Sequence, residues 1–149
     1  MYDEIIKNLE QQISSNELEN IKNKNVHLSV FTEPCLSYML DGKKTIESRF
    51  SKNKILPYQK IEKDDIVFVK KSGGNIVAYF TIRDILFFNL NETSIDEIKS
   101  KYNKELCVDD TFWDLKKESN YATLIFIDKL KKLHPFSINK KGMQTWMKL

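Results

Sequence analysis

Four charged side chains stand close together in one short stretch of the sequence. Residues 40–50 read LDGKKTIESRF, and Lys43, Lys44, Glu47 and Arg49 follow directly after Gly42. A lysine, a glutamate and an arginine at this spacing can hold an anion, pair with the edge of a nucleobase, or shift each other's pKa values. The same pattern is also typical of an ordinary ion network on an exposed strand.

The alternation of side chains along a strand predicts where these groups point. Glu47 and Arg49 share one face, and Ile46 and Phe50 share the other. We expect the apolar pair to face the core and the charged pair to face a wet or partly enclosed side. Arg49 is one of only two arginines in a lysine-rich chain, which favours a role for its planar, bidentate guanidinium.

Length and composition indicate one soluble domain. The chain has 149 residues, of which 41% are hydrophobic and 30% charged. No apolar run approaches the roughly 20 residues of a membrane span, and the N-terminus lacks the features of a signal peptide. We therefore expect a cytosolic protein with no membrane partner. Cys35 and Cys107 have no CxxC spacing, so they favour neither a disulfide framework nor a zinc site, and no cofactor is expected.

Positive charge is concentrated in two segments of the chain. Residues 42–71 carry nine Lys and Arg against four acidic residues, and residues 129–149 carry six Lys and no acid. If the fold brings these segments together, they form a patch that attracts polyanions. An equally ordinary explanation is that the lysines of these two segments serve only to keep the protein surface soluble.

Periodicity and turn residues predict an α+β domain. Residues 1–25 read as an N-terminal helical arm, with Ser15 as the cap of its second helix. Within 26–149 the pattern predicts strands and short helices. The strands are 26–31, 44–50, 66–71, 76–88, 121–133 and a last short one in the tail. The helices are 34–42, one that Thr93 or Ser94 caps and that runs through Tyr102, and 109–117. This order suggests a small, mostly antiparallel β-barrel with short flanking helices.

The run from Gly42 to Arg49 resembles the signature of the ASCH family, a branch of the PUA-like β-barrels. That signature, G-x-K-x-x-E-x-R, falls on Gly42, Lys44, Glu47 and Arg49. The flanking segments HLSVFTEPCLSYMLDG, DDIVFVKKSGG, IVAYFTIRDI and YATLIFI resemble barrel elements in the expected order. The resemblance covers roughly residues 26–134 and leaves the arm outside it.

The resemblance implies a cleft beside the signature strand that takes RNA or a modified nucleobase. Some family members are amidohydrolases that remove an acyl group from the exocyclic amine of cytidine, and others are ribonucleases. In the deacylating members the signature lysine assists catalysis, which implies Lys44. A threonine occupies the next signature position, where this chain has Glu47. A later glutamate also takes part, and Glu92 and Glu97 both remain candidates for it.

Two further groups are candidates for ligand contact. Ser72, Gly73 and Gly74 form a turn whose amide groups can contact a phosphate, with Lys71 beside it, although two glycines are often only a hairpin turn. Trp113 lies on a short amphipathic helix and either fills the core or stacks on a base. His27 and His134 have no partner at catalytic spacing and are interpreted as structural.

The leading hypothesis is therefore a protein that binds RNA or a nucleotide-like ligand through Lys44, Glu47 and Arg49. The alternative is a small amidohydrolase that acts on an acylated cytidine nucleoside, in which Lys44 and Glu47 are the catalytic residues. A further alternative is a protein-interaction module, with self-association through residues 1–24.

Overall fold

The computed structural model describes all residues from 1 to 149 and contains five helices and six strands. The helices are α1 (Tyr2–Leu9), α2 (Ser15–Lys22), α3 (Cys35–Leu40), α4 (Ile95–Leu106) and α5 (Asp110–Leu115). The strands are β1 (Val26–Phe31), β2 (Ile46–Ser51), β3 (Ile66–Lys71), β4 (Ile76–Asn89), β5 (Tyr121–Phe136) and β6 (Trp146–Lys148). The predicted α+β class is confirmed.

The strands form one sheet in the order β2-β5-β4-β3-β1-β6. The pairs β2–β5, β3–β4 and β1–β6 are antiparallel, as predicted for most of the sheet, whereas β1 and β3 run parallel. A register shift interrupts the β3–β4 ladder between Val69 and Lys70. The sheet therefore combines antiparallel neighbours with one parallel pair, β1 and β3, and several of its neighbouring strands are not consecutive in the sequence.

The chain divides into two compact units, each made of separate segments. The first unit consists of residues 1–32, 64–81 and 129–149, and the second of residues 33–63 and 82–128. The long strands β4 and β5 each contribute residues to both units.

The N-terminal helices are part of the core of the first unit. Ile5 and Leu9 of α1 and Ile21 of α2 are almost fully buried. They belong to one apolar cluster with residues of β1, β3 and β4, among them Leu28 and Phe68. The apolar stripes that predicted the helices therefore pack against the sheet of this unit.

The core of the second unit lies against the signature strand. Ile46 of β2 is buried together with Leu106 of α4, Trp113 of α5 and Leu124 of β5, and Phe50 packs against them. The prediction that Ile46 and Phe50 face the core is confirmed. No helix is both long and apolar enough to cross a membrane.

The structure confirms one predicted helix cap and corrects another. Ser14, and not Ser15, caps α2, because its side chain accepts from the backbone N–H of Glu17. Ser94 caps α4 in the same way, and α4 continues to Leu106, four residues beyond the predicted end. The last turn adds Leu106, which continues the stripe of Ile98 and Tyr102 at a spacing of four residues and packs with them in the core of the second unit.

Candidate functional site

The turn before the signature strand is fixed by two helix ends. Gly42 follows α3 with a φ of 80°, a left-handed conformation that suits glycine at a helix end. The amide groups of Lys43 and Lys44 both donate to the carbonyl oxygen of Tyr38, near the end of α3. The amide of Thr45 donates to Glu105 near the end of α4. Helix carbonyls that lack partners within the helix thus hold the start of the strand.

The three signature side chains form a continuous chain of contacts. Nζ of Lys44 lies 3.5 Å from Oε1 of Glu47, and Nη2 of Arg49 donates to Oε2 of Glu47 at 3.1 Å. Nζ of Lys44 also donates to the carbonyl oxygen of Leu106 at 2.7 Å. We call Lys44, Glu47 and Arg49 the signature cluster. The sequence predicted that these three side chains lie close together, and the structure confirms it. The contact of Lys44 with Leu106 was not predicted.

The signature cluster is largely removed from water. Lys44 is 2% exposed and Glu47 is 6% exposed, whereas the Arg49 side chain keeps 18% of its surface accessible. An exposed ion network is therefore wrong as a description of these residues. With two cations and one carboxylate, the cluster carries a net charge of +1, and Arg49 is its most accessible member.

Glu47 stays ionised in this setting. Burial by itself raises the pKa of the carboxyl group, but the charges of Lys44 and Arg49 and the backbone N–H of Ser48 outweigh it. The net result is a pKa below the ordinary value for glutamate. Glu47 therefore offers a fixed hydrogen-bond acceptor at neutral pH.

Two half-buried cysteines, Cys35 and Cys107, belong to the same unit, and their spacing in the sequence indicates no relation to the cluster. Burial raises the pKa of the Cys35 thiol, and the charge of Lys44 works in the opposite direction. Cys107 is the residue after Leu106 and adopts a left-handed conformation, with a φ of 56°, at the end of α4. Both thiols are free. No local motif indicated these positions, because their relation to Lys44 arises from the fold.

Trp113 lies in the core of the second unit and is 4% exposed. Its indole Nε1 donates to Oδ1 of Asn103 at 2.7 Å, and its ring contacts Phe50 and Phe112 edge to face. These contacts account for an aromatic residue at this position by packing alone. Stacking of Trp113 on a ligand stays a prediction.

The glycine turn lies in the first unit, between β3 and β4. Gly73 has a φ of 68°. The amide of Ser72 donates to the carbonyl of Phe31, and the amide of Gly74 donates to the carbonyl of Lys71. Two of the three amide groups expected to contact a phosphate are thus already engaged within the protein. Contact of Lys71, Ser72, Gly73 and Gly74 with a ligand stays a prediction.

A buried polar chain in the first unit was missed. Trp146 Nε1 donates to Nδ1 of His27, so Nδ1 is an acceptor and the neutral ring carries its proton on Nε2. That nitrogen lies 2.8 Å from Oδ2 of Asp65. The interpretation of His27 as structural fits this geometry, but its carboxylate partner is 38 residues away and gave no local signal. No group of three or more His, Cys, Asp and Glu side chains is placed to hold a metal ion.

Comparisons with known proteins give a fold relationship but no sequence relationship. The chain matches no protein-family model and no curated protein sequence. Among solved structures it is similar to the ASCH protein from Zymomonas mobilis, with a TM-score of 0.66 and 12% identity over 83% of this chain and 87% of that one. Two single-residue variants of the same protein match equally well, at TM-scores of 0.66 and 0.67 and identities of 13% and 12%. They span 83% and 85% of this chain and 89% of each variant.

The protein therefore has the fold of the ASCH protein structures. The resemblance first carried by Gly42, Lys44, Glu47 and Arg49 is confirmed at the level of the fold. At 12% identity the likeness defines the architecture and leaves the activity to be argued from the site itself.

Proposed function

We propose that the signature cluster binds a nucleoside or nucleotide unit, either free or as part of RNA. The observation that carries this proposal is the dehydrated chain of contacts from Lys44 through Glu47 to the more accessible Arg49. Hydrogen bonds and ion pairs gain strength where water is excluded. Such a site suits a ligand that is both polar and planar.

Each member of the cluster has a distinct part in this proposal. The guanidinium of Arg49 presents a planar set of donors to carbonyl or phosphate oxygens. The ionised carboxylate of Glu47 accepts from an exocyclic amine. Lys44 holds Glu47 in place and contributes the excess positive charge. Recognition of one base through its donor and acceptor edge follows the general pattern for single-stranded RNA.

The test compares the two arginines of the chain. Binding of cytidine, the other ribonucleosides and a ten-nucleotide single-stranded RNA is measured by calorimetry for wild type, Arg49→Lys and Arg83→Lys. Arg49→Lys keeps the charge but loses the bidentate fork, so affinity should fall about tenfold or more. Arg83 is exposed and stacks on Phe126 in the same unit, which makes it the matched control. Equal affinity of both variants for every ligand would overturn the proposal.

Hydrolysis of an acylated cytidine is the second candidate, favoured by the setting of Lys44. Its ammonium has three N–H donors; one is donated to the carbonyl of Leu106, and the charge forms an ion pair with Glu47 at 3.5 Å. Another N–H of this ammonium, in a dehydrated site, can stabilise the oxyanion that forms when water adds to an amide carbon. In this candidate mechanism, ionised Glu47 accepts the proton of that water.

The hydrolase candidate has its own assay. N4-acetylcytidine is incubated with wild type and Lys44→Met, and the release of cytidine and acetate is followed. Loss of one oxyanion donor should lower the rate about 100-fold or more. If wild type releases no cytidine, hydrolysis of this substrate is excluded and nucleoside binding stands on the calorimetry alone.

A further inference from the structure

A pocket lined by apolar, polar and charged side chains lies within the first unit and shares no residue with the signature cluster. Its volume is about 300 Å³, at the lower end of the range for small-molecule sites. Two isoleucines, Ile21 and Ile66, line it, and its polar lining comes from Glu17, Asn20, Tyr79, Thr81, Lys129 and Lys131. The pocket therefore combines helix α2 with strands β3, β4 and β5.

The one carboxylate in this pocket is already compensated. Lys131 Nζ donates to Oε2 of Glu17 at 2.7 Å, and the hydroxyl of Tyr79 donates to the same oxygen at 3.1 Å. The hydrogen bond from Lys131 lowers the pKa of Glu17, so the carboxylate stays ionised. Burial raises the pKa of Tyr79 to about 12, so its hydroxyl remains a donor at any physiological pH.

Three donors in the pocket remain unused. The ammonium of Lys129 forms no ion pair, and the side chains of Thr81 and Asn20 donate no hydrogen bond within the protein. Lys129 also has a positive φ of 49°, which is unusual for a lysine. Lys129 and Lys131 both line the pocket.

We propose that this pocket binds a phosphate group. An ammonium, a hydroxyl and an amide N–H supply the donors that phosphate oxygens require. With Glu17 neutralised by Lys131, the charge of Lys129 is left to attract the anion. The proposal does not depend on the nucleoside proposal above, because no residue of the signature cluster takes part.

The experiment uses the 149-residue chain and inorganic phosphate as the probe. Phosphate is titrated while backbone amide resonances are recorded by NMR, and shifts are expected at Asn20, Thr81 and Lys129. Lys129→Gln should weaken phosphate binding about tenfold, because a charge-assisted hydrogen bond is lost. Lys132→Gln is the matched control, since Lys132 is an exposed lysine of the same strand that does not line the pocket.

The variants also distinguish a built site from diffuse surface charge. Thr81→Val removes a hydroxyl at nearly constant shape and should weaken phosphate binding severalfold. An equal effect of Lys129→Gln and Lys132→Gln, or the absence of shifts at Thr81 and Asn20, would overturn the proposal. Loss of nucleoside binding in Arg49→Lys bears only on the signature cluster, so the two proposals fail separately.

The source of the phosphate is resolved by a parallel titration with a ten-nucleotide single-stranded RNA. A phosphodiester in the pocket should reproduce the shifts at Thr81, and Lys129→Gln should reduce the salt dependence of RNA binding by about one counterion. If inorganic phosphate produces the shifts and RNA does not, the pocket takes a free phosphate or a phosphomonoester.

Discussion

The carbonyl oxygen of Leu106 lies 2.7 Å from Nζ of Lys44, although 62 residues separate the two in the chain. Leu106 is the last residue of α4, so its carbonyl is one of those that no amide within the helix satisfies. The negative end of the helix dipole also faces the ammonium and stabilises its charge. The position of Lys44 therefore depends on how α4 ends.

The first prediction concerns the end of α4. Cys107→Gly should raise the free energy of unfolding by about 0.5–1 kcal/mol, because glycine adopts the left-handed conformation without strain. Cys107→Val should lower it and displace the carbonyl of Leu106, since a branched side chain tolerates this conformation poorly. Urea denaturation measures both. Lys116→Gly is the control, because Lys116 ends α5 in a right-handed conformation and glycine there should destabilise. Two glycine variants that move in the same direction would contradict this account.

The second prediction ranks two changes in the signature cluster. Glu47→Gln leaves the buried cation of Lys44 and the half-buried cation of Arg49 without a carboxylate and should cost about 3–5 kcal/mol in unfolding free energy. Lys44→Met should cost less, because Glu47 keeps Arg49 as its partner. Lys99→Met breaks the exposed pair with Asp110 and should have little effect. Urea unfolding of the three variants tests the order, and a Glu47→Gln protein as stable as Lys99→Met would refute it.

The third prediction is a pH dependence of stability that arises from His27. Burial lowers the pKa of His27 below its ordinary value, with Lys148 acting in the same direction, although Asp65 raises it. Between the unfolded pKa of about 6.5 and the lower folded pKa, the unfolded chain binds more protons than the folded one. Stability should therefore fall as the pH falls through this window.

The His27 prediction is checked with the two histidines of the chain. Unfolding free energies are measured from about pH 7 to about pH 5 for wild type, His27→Gln and His134→Gln. His27→Gln should flatten the slope, whereas His134→Gln should keep it, because His134 is exposed. The prediction would be wrong if the slope of unfolding free energy against pH persisted in His27→Gln and disappeared in His134→Gln.

The fourth prediction separates packing from ligand contact at Trp113. Trp113→Phe removes the indole donor and leaves the amide oxygen of Asn103 without it, so stability should fall by about 1–3 kcal/mol. Affinity for nucleosides should hold, because Trp113 is 4% exposed. Calorimetry with the ligands used for Arg49 provides the measurement. A folded variant with weakened binding would instead establish stacking on the ligand.

The signature strand was predictable from the sequence because its pattern is local. A period of two placed Ile46 and Phe50 on the core side and left Glu47 and Arg49 together, and the structure confirms both. The dehydration of Lys44 was not predictable, since it requires the end of a helix 62 residues further along.

Other misses have the same physical origin. Parallel pairing of β1 with β3 and the His27–Asp65 contact both join residues that are far apart in the chain. The left-handed conformation of Cys107 could not be predicted, because residues in this conformation at a helix end are usually Gly or Asn. Local periodicity identified the elements, and long-range contacts determined the environment of each charge.

The segmental make-up of the two units restricts how the protein can be dissected. The first unit is assembled from three stretches of the chain and the second from two, so no single proteolytic cut can release either one whole. A fragment that ends within β5 removes residues from the first unit, among them Phe136 of the apolar cluster that contains its helices. Deletion variants would therefore report on collapse of the core before they report on ligand binding, and point substitutions are the informative tools for this molecule.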